Sequence, residues 1–318
     1  MDITAPRHTS FAGFDEWLSS LSRDPLRYMR ISCLVAGVVW LCLSVLFFLR
    51  VDWLVNLWPL PEERMTFIFI AAVAAATAAP LFWMGVSGEL SAIAGAALNA
   101  AIADLGAGAY LLVRVVNDDN TDLLGAALIF LVLGVANAIL SFWSHRQPVR
   151  DPRPMPRIAQ WSSGAFGLIL VVVSGALLFR APHVLPWDLA PDTSSVFGWT
   201  FLGASMYFLY GVARPLWVFA AGPLWGFLAY DAVLWIPYFQ LMGKDSTSSG
   251  GMYGGMYGTT SSGNGVNEGS LVVYLFVLGF STLLALYLFF IHPATRIRFT
   301  RPTAFAVRRS AIGQTNAG

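Results

Sequence analysis

Between Asp122 and His145 the chain reads LLGAALIFLVLGVANAILSFWS, residues 123–144, without one charged side chain. A helix needs about 20 consecutive apolar residues to cross the hydrocarbon core of a bilayer, because each residue adds only about 1.5 Å of length. This stretch therefore predicts a membrane-spanning helix.

Seven further windows of this kind occur along the chain, each free of charge or interrupted by a single acid. They are 31–49, 65–88, 90–113, 158–179, 193–213, 215–243 and 269–291. Only 12% of the residues are charged and the mean hydropathy is +0.64, whereas a soluble domain has about 25% charged residues. The sequence predicts an all-α integral membrane protein with about eight transmembrane helices.

Arginine is concentrated in three segments of the chain: the leader 1–30, the loop 146–160 and the tail 293–318. An even number of spans places all three on the same side of the membrane, and the positive-inside rule makes that side cytoplasmic. The stretch VNDDNTD, 116–122, falls on the opposite side and is acidic. We expect cytoplasmic N- and C-termini and a location in a bacterial inner membrane.

A short motif follows the first span and recurs after the fifth. LRVDWLVNLWPLPEE contains Arg50 and Trp58, and FRAPHVLPWDLAPD contains Arg180 and Trp187 at nearly the same spacing. Tryptophan rings are enriched at membrane interfaces, so we expect both motifs to lie at the outer interface. The recurrence predicts two tandem four-helix repeats in the same orientation, related by an axis along the membrane normal.

This prediction divides the chain into five segments. They are a cytoplasmic leader (1–30), a first four-helix repeat (31–145), a basic Pro-rich linker (146–160), a second repeat (161–292) with a Gly/Ser/Met/Tyr-rich external insertion (243–269), and a basic tail (293–318). In the leader, apolar residues at helical spacing from 14 to 21 fit either an amphipathic surface helix or a disordered segment. The tail interleaves Arg with Phe, which suits anionic lipid headgroups or serves only to set the topology.

Asp104 and Asp231 are the candidate functional residues, because they occupy the same depth in the third and seventh spans. A charged side chain at mid-span costs at least about 2.5 kcal/mol, so it is usually paired, protonated or exposed to water. Burial disfavours the charged form, which would let each aspartate hold and release a proton. Asn99 and Tyr230 are further proton- or solute-binding candidates. In the alternative, each Asp accepts hydrogen bonds from a neighbouring helix, with Asn137 among the partners, and only stabilises packing.

The stretch GGMYGGMYG, residues 250–258, contains Met252 and Met256 on the predicted external side. Thioether sulfurs are ligands for Cu(I), so these residues form a weak copper-site candidate. A flexible insertion is the favoured interpretation, because glycine-rich chain loses much entropy on ordering. We expect no other metal and no cofactor.

Enzymatic and nucleic-acid-binding functions are less favoured. The sequence GVSG, 85–88, has the G-x-S-G pattern of intramembrane serine proteases, but a serine nucleophile needs a nearby base. The four histidines, His8, His145, His183 and His292, all lie outside the span interiors. The formal net charge of +1 offers no basic surface for nucleic acid.

Three functional hypotheses remain. The first is a carrier of a small solute or ion that uses the two aspartates to bind protons. The second is a non-catalytic structural or assembly subunit that associates with other membrane subunits or with a second copy. The third is a membrane-embedded enzyme acting on lipids. A carrier predicts that both aspartates face one water-accessible cavity, whereas an assembly subunit predicts an Asp buried without a path to water and a broad apolar face free of lipid anchors.

Overall fold

The computed structural model describes residues 26–60, 62–118, 121–244 and 268–296. Eight long helices make up this part of the chain, which contains no β-strand. They are α1 (Arg27–Phe48), α2 (Arg64–Ser87), α3 (Ile93–Asp118), α4 (Leu124–His145), α5 (Arg157–Leu178), α6 (Pro191–Ala213), α7 (Trp217–Lys244) and α8 (Glu268–Leu286). All eight are long and apolar enough to cross a membrane, which confirms the prediction of eight spans.

Helices α2, α3, α6 and α7 form the inner part of the bundle. Helix α3 packs on α6 and α2 packs on α7, while each inner helix carries one outer helix: α1 on α2, α4 on α3, α5 on α6 and α8 on α7. The apolar windows of the outer helices are 17–33% buried, whereas those of α2, α6 and α7 are 44–61% buried; α3 is the exception among the inner helices, at 33%. The outer helices therefore turn most of their apolar surface away from the protein.

Glycines allow the inner helices to cross closely. A Cβ atom added to Gly203 of α6 would collide with the backbone oxygen of Asn99 in α3. At the other crossing, a Cβ on Gly226 of α7 would lie 3.0 Å from the backbone oxygen of Ala76 in α2. Small residues at such crossings let membrane helices gain van der Waals contact, which is the main attraction available between them in lipid.

The outer helices α1 and α5 are each held to an inner partner by a serine hydrogen bond. The Ser44 hydroxyl of α1 donates to the Ala71 carbonyl of α2 at 2.8 Å, and the Ser174 hydroxyl of α5 donates to the Gly198 carbonyl of α6 at 2.8 Å. A Cβ on Gly37 of α1 would lie 3.1 Å from the Phe82 ring. Each contact joins an outer helix to the antiparallel helix that follows it.

The loops after α1 and α5 begin in the same strained conformation. Arg50 has φ 54° and Arg180 has φ 56°, in the left-handed region that residues other than glycine seldom adopt. The amide of Arg50 donates to Phe47 O and that of Arg180 to Leu177 O, both at 3.0 Å. This is the hydrogen bond expected where a residue in the left-handed conformation ends an α-helix. Both helices therefore end in the same way.

The two tryptophans of these loops occupy different environments. Trp58 is partly exposed and contacts the Phe47 ring edge-on. Trp187 is 8% exposed, and its indole N–H donates to Thr66 Oγ1 of α2 at 3.1 Å. This hydrogen bond satisfies the indole N–H among protein side chains, so Trp187 is buried in the protein, whereas Trp58 lies nearer its surface.

Four features predicted from the sequence lie outside the described residues. They are the possible amphipathic helix of the leader, the copper candidates Met252 and Met256, most of the 243–269 insertion, and the basic tail from residue 297 onward.

Candidate functional site

Asp231 lies in the interface between α7 and α8. It is 1% exposed, and its Oδ2 atom accepts hydrogen bonds from the hydroxyls of Ser281 at 2.7 Å and Thr282 at 2.8 Å. Thr282 in turn accepts from the indole N–H of Trp235 at 3.2 Å. The other carboxyl oxygen, Oδ1, is buried and has no hydrogen-bond partner. The side chain is thus fixed on one side by donors from α8.

Asp104 lies in the interface between α3 and α4. Its Oδ2 accepts from the side-chain amide of Asn137 at 3.2 Å, and the residue is only partly buried. Asn137, which the sequence suggested as a hydrogen-bond partner, is therefore the residue that contacts Asp104. Asn99 lies elsewhere, at the crossing of α3 with α6, where Gly203 packs on its backbone oxygen.

Tyr230 precedes Asp231 on α7, but its hydroxyl is hydrogen-bonded to the hydroxyl of Tyr274 in α8 at 2.7 Å. The ring of Tyr238, about two helical turns further along α7, packs edge-on against Tyr274 with 5.5 Å between the ring centroids. These tyrosines extend the polar contact between α7 and α8 toward the end of α7. Tyr230 therefore joins the same helix interface as Asp231.

The structure does not bring the two aspartates together. Asp104 faces the outer helix α4 and Asp231 faces the outer helix α8, and these two outer helices pack on different inner helices. Each carboxyl group accepts hydrogen bonds from neutral donors. Within the described ranges, no cluster of three or more His, Cys, Asp or Glu side chains could hold a metal ion. The arrangement can bind a proton at each site but does not form a paired-carboxylate centre.

A second polar cluster, which was not predicted from the sequence, joins the C-terminal end of α3 to the N-terminal end of α6. Asp192 accepts from the Tyr110 hydroxyl at 2.5 Å and lies 3.2 Å from Arg114 Nε. Arg180 donates to the same Tyr110 hydroxyl at 3.0 Å. Tyr110, Arg114 and Asp118 recur at four-residue spacing, and this one-sided polar pattern at the end of an apolar helix was the available signal.

Glu62 lies beside this cluster, where it lines two open crevices of about 400 and 410 Å³. The first is also lined by Glu63 and Asp188, and the Thr193 hydroxyl of α6 donates to Glu62. Burial is the main cause that raises the pKa of Glu62 from about 4.5 to about 7, and the charge of Glu63 adds to it. Glu62 is thus a titratable contact between the loop before α2 and the start of α6.

The raised pKa of Glu62 predicts a pH-dependent stability. The folded protein binds this proton more tightly than the unfolded chain, so the resulting stabilisation is full below about pH 4.5 and is lost as the pH rises to about 7. We expect a loss of about 1 kcal/mol over this window, because solvent screens a partly exposed group. Thermal unfolding between pH 4 and 8 should show the slope in the wild type and a smaller slope in Glu62→Gln. Asp188→Asn is the control, and an unchanged slope in Glu62→Gln would contradict the assignment.

The G-x-S-G serine takes part in local backbone contacts. Ser87 is the last residue of α2, its hydroxyl donates to the Trp83 carbonyl at 2.7 Å, and it accepts the Glu89 amide at 3.3 Å. His145 is hydrogen-bonded to Tyr210 at 3.0 Å, and His292 approaches Thr295 at 3.3 Å. These contacts give Ser87 the role of a helix-end residue.

Comparisons with models of known protein families, with curated proteins and with solved structures give no match for this chain.

Proposed function

We propose that this multi-pass membrane protein is a non-catalytic structural or assembly subunit of a larger membrane complex. One observation carries the proposal: Asp231 is 1% exposed and bonded to α8, in a different helix interface from Asp104. A carrier that moves an ion between two halves needs its binding groups on one shared path, whereas these groups each fix an outer helix to an inner one.

The outer surface supports the same function. Helix α4 presents an apolar face in which Val132, Ile139 and Phe142 are each more than 60% exposed. Such a face suits contact with lipid or with the helices of another subunit. The polar groups of α4, in contrast, turn inward, as Asn137 and Ser141 do toward α3.

The proposal includes two tandem repeats, 31–145 and 161–292, in the same orientation. The helix contacts agree with this repeat. If each helix is replaced by the one four positions later, counting α1 again after α8, each packed pair becomes another packed pair: α1–α2 becomes α5–α6, α3–α4 becomes α7–α8, and α3–α6 becomes α7–α2. The strained residues Arg50 and Arg180 are separated by the same number of residues as Ser44 and Ser174, the two serines that donate a hydrogen bond to the next helix. The arginine-rich loops, with the positive-inside rule, support cytoplasmic termini in a bacterial inner membrane.

A proton or ion carrier is the second candidate. The observation that favours it is the Oδ1 atom of Asp231, which is buried without a hydrogen-bond partner. Buried polar atoms of this kind are uncommon, because leaving one unsatisfied costs about 1–3 kcal/mol. An ion or a proton donor arriving during transport would satisfy it.

Native mass spectrometry of the protein, extracted from its own membrane in mild detergent, tests the assembly function. We expect a defined complex, heavier than the chain, that contains other subunits. The variant carrying both Asp104→Asn and Asp231→Asn should retain the mass of that complex, because Asn keeps most of the hydrogen bonds. A lone monomer or homodimer that retains a small metabolite would contradict the proposal, as would proton or ion flux that this double variant abolishes.

A further inference from the structure

One face of the bundle carries most of the described arginines, where α1, α3, α5 and α7 begin and α2, α4, α6 and α8 end. We call it the arginine-rich face; its arginines are Arg27, Arg30, Arg146, Arg150, Arg153, Arg157, Arg214 and Arg296. Two carboxylates are described there, and both are already engaged. Glu89 accepts the Arg150 amide at 3.2 Å, and Asp151 accepts the Arg153 guanidinium at 2.6–2.9 Å.

Arg214 has neutral partners within the described residues. Its Nη1 donates to the Tyr210 hydroxyl at 3.3 Å, and its guanidinium lies over the Phe219 ring, 5.5 Å from the centroid. No carboxylate in the described ranges lies within 4.0 Å of it. A guanidinium has five N–H donors in a planar fork that fits phosphate, so most of the donors of Arg214 remain available to an anion.

His145 shares the hydroxyl that Arg214 contacts. Its Nδ1 lies 3.0 Å from the Tyr210 oxygen, so Arg214 and His145 flank one phenol group. Arg146 follows His145 and lies over the Phe142 ring at 4.2 Å. Arg214 and His145, at the ends of α6 and α4, thus meet at a single tyrosine hydroxyl, and Arg146 is the next residue along the chain from His145.

The scaffold holds this tyrosine and arginine in place. The Tyr210 ring packs edge-on against Phe219 at 5.4 Å, and a Cβ on Gly95 of α3 would lie 3.1 Å from it. The turn after Arg214 is fixed by the linker, since the Met155 amide donates to Pro215 O at 2.9 Å. Such support reduces the entropy lost when an anion binds.

We propose that Arg214, Tyr210 and His145 form a binding site for a phosphate group, supplied by the headgroup of an anionic phospholipid. His145 and Arg214 lie at the ends of two membrane-spanning helices, which is the depth of lipid phosphates. The Arg214 fork binds the phosphate oxygens, and the Tyr210 hydroxyl orients the guanidinium. The neighbouring Arg146 adds attraction for the negative headgroup. This site is independent of the assembly function.

Thermal unfolding of the purified full-length protein in detergent tests the site, with added phosphatidylglycerol, phosphatidylcholine or inorganic phosphate. We expect phosphatidylglycerol to raise the unfolding midpoint by several degrees and phosphatidylcholine to leave it nearly unchanged. Arg214→Gln should remove at least half of that rise. Arg27→Gln, which removes the same charge from the same face, should retain it.

Three results would overturn the proposal. They are a full phosphatidylglycerol effect in Arg214→Gln, an equal loss in Arg27→Gln, and an equal effect of inorganic phosphate, which would make free phosphate the ligand. If Arg214→Gln does not fold, Tyr210→Phe serves instead, because it keeps the ring packing and removes only the hydroxyl. A reduced phosphatidylglycerol effect in Tyr210→Phe supports the site, and an undiminished effect overturns it.

Discussion

Replacing Gly203 by alanine is expected to destabilise the protein sharply, by about 1–3 kcal/mol. The added Cβ would collide with the backbone oxygen of Asn99 and with the Asn99 side chain, and a backbone oxygen cannot rotate away. Helices α3 and α6 would have to separate at their crossing, which would loosen one of the two main contacts of the inner helices. Thermal unfolding in detergent, followed by circular dichroism, measures the effect.

Gly175→Ala provides the matched control, because it adds the same methyl group to another transmembrane glycine. A Cβ on Gly175 of α5 meets nothing within 4 Å. Alanine is a better helix former than glycine by about 1 kcal/mol, so this variant should be as stable as the wild type or slightly more stable. Gly226→Ala should lie between the two, since its Cβ would be 3.0 Å from the Ala76 oxygen. Equal stability of the Gly203 and Gly175 variants would show that the α3–α6 crossing is not closely packed.

The sequence predicts the eight helices well because a membrane imposes a simple requirement on it. A span must be long and nearly free of charge, and windows such as 123–144 meet that condition without reference to the rest of the fold. The depth of Asp104 and Asp231 follows from the same windows. Asn137 could be named as a partner of Asp104 because it lies at a similar depth in the next span.

Which side of each helix contacts protein was much harder to predict. Lipid tails and buried side chains are both apolar, so hydrophobic periodicity does not separate a lipid-facing surface from a protein-facing one. Ser281 and Thr282 were missed as partners of Asp231 for this reason. The hydrogen bond from Tyr110 to Asp192 joins residues far apart in the chain, and only the crossing of α3 with α6 brings them together.

Replacing Asp231 by alanine is expected to destabilise the protein by about 2–4 kcal/mol. The change removes the acceptor of two hydroxyl donors, Ser281 and Thr282, and leaves a void between α7 and α8. Asp231→Asn should lower stability by less than about 1 kcal/mol, because its carbonyl oxygen still accepts both hydrogen bonds. Asp104→Ala should fall between them at about 1 kcal/mol, since that side chain is partly exposed and has one bonded partner, Asn137.

The stability order of these three variants tests the packing role of Asp231, and flux tests a transport role. If Asp231 fixes α8 to α7, stability should follow hydrogen bonding, and Asp231→Asn should keep both the fold and the native complex. If Asp231 instead binds the transported proton or ion, Asp231→Asn should remain stable but lose flux, because an amide carries no negative charge and has no titratable proton near neutral pH. Thermal unfolding and flux into vesicles, measured on the same preparations, distinguish these outcomes. Equal stability of Asp231→Ala and Asp231→Asn would contradict the packing role, since the two side chains differ in the hydrogen bonds that they can accept.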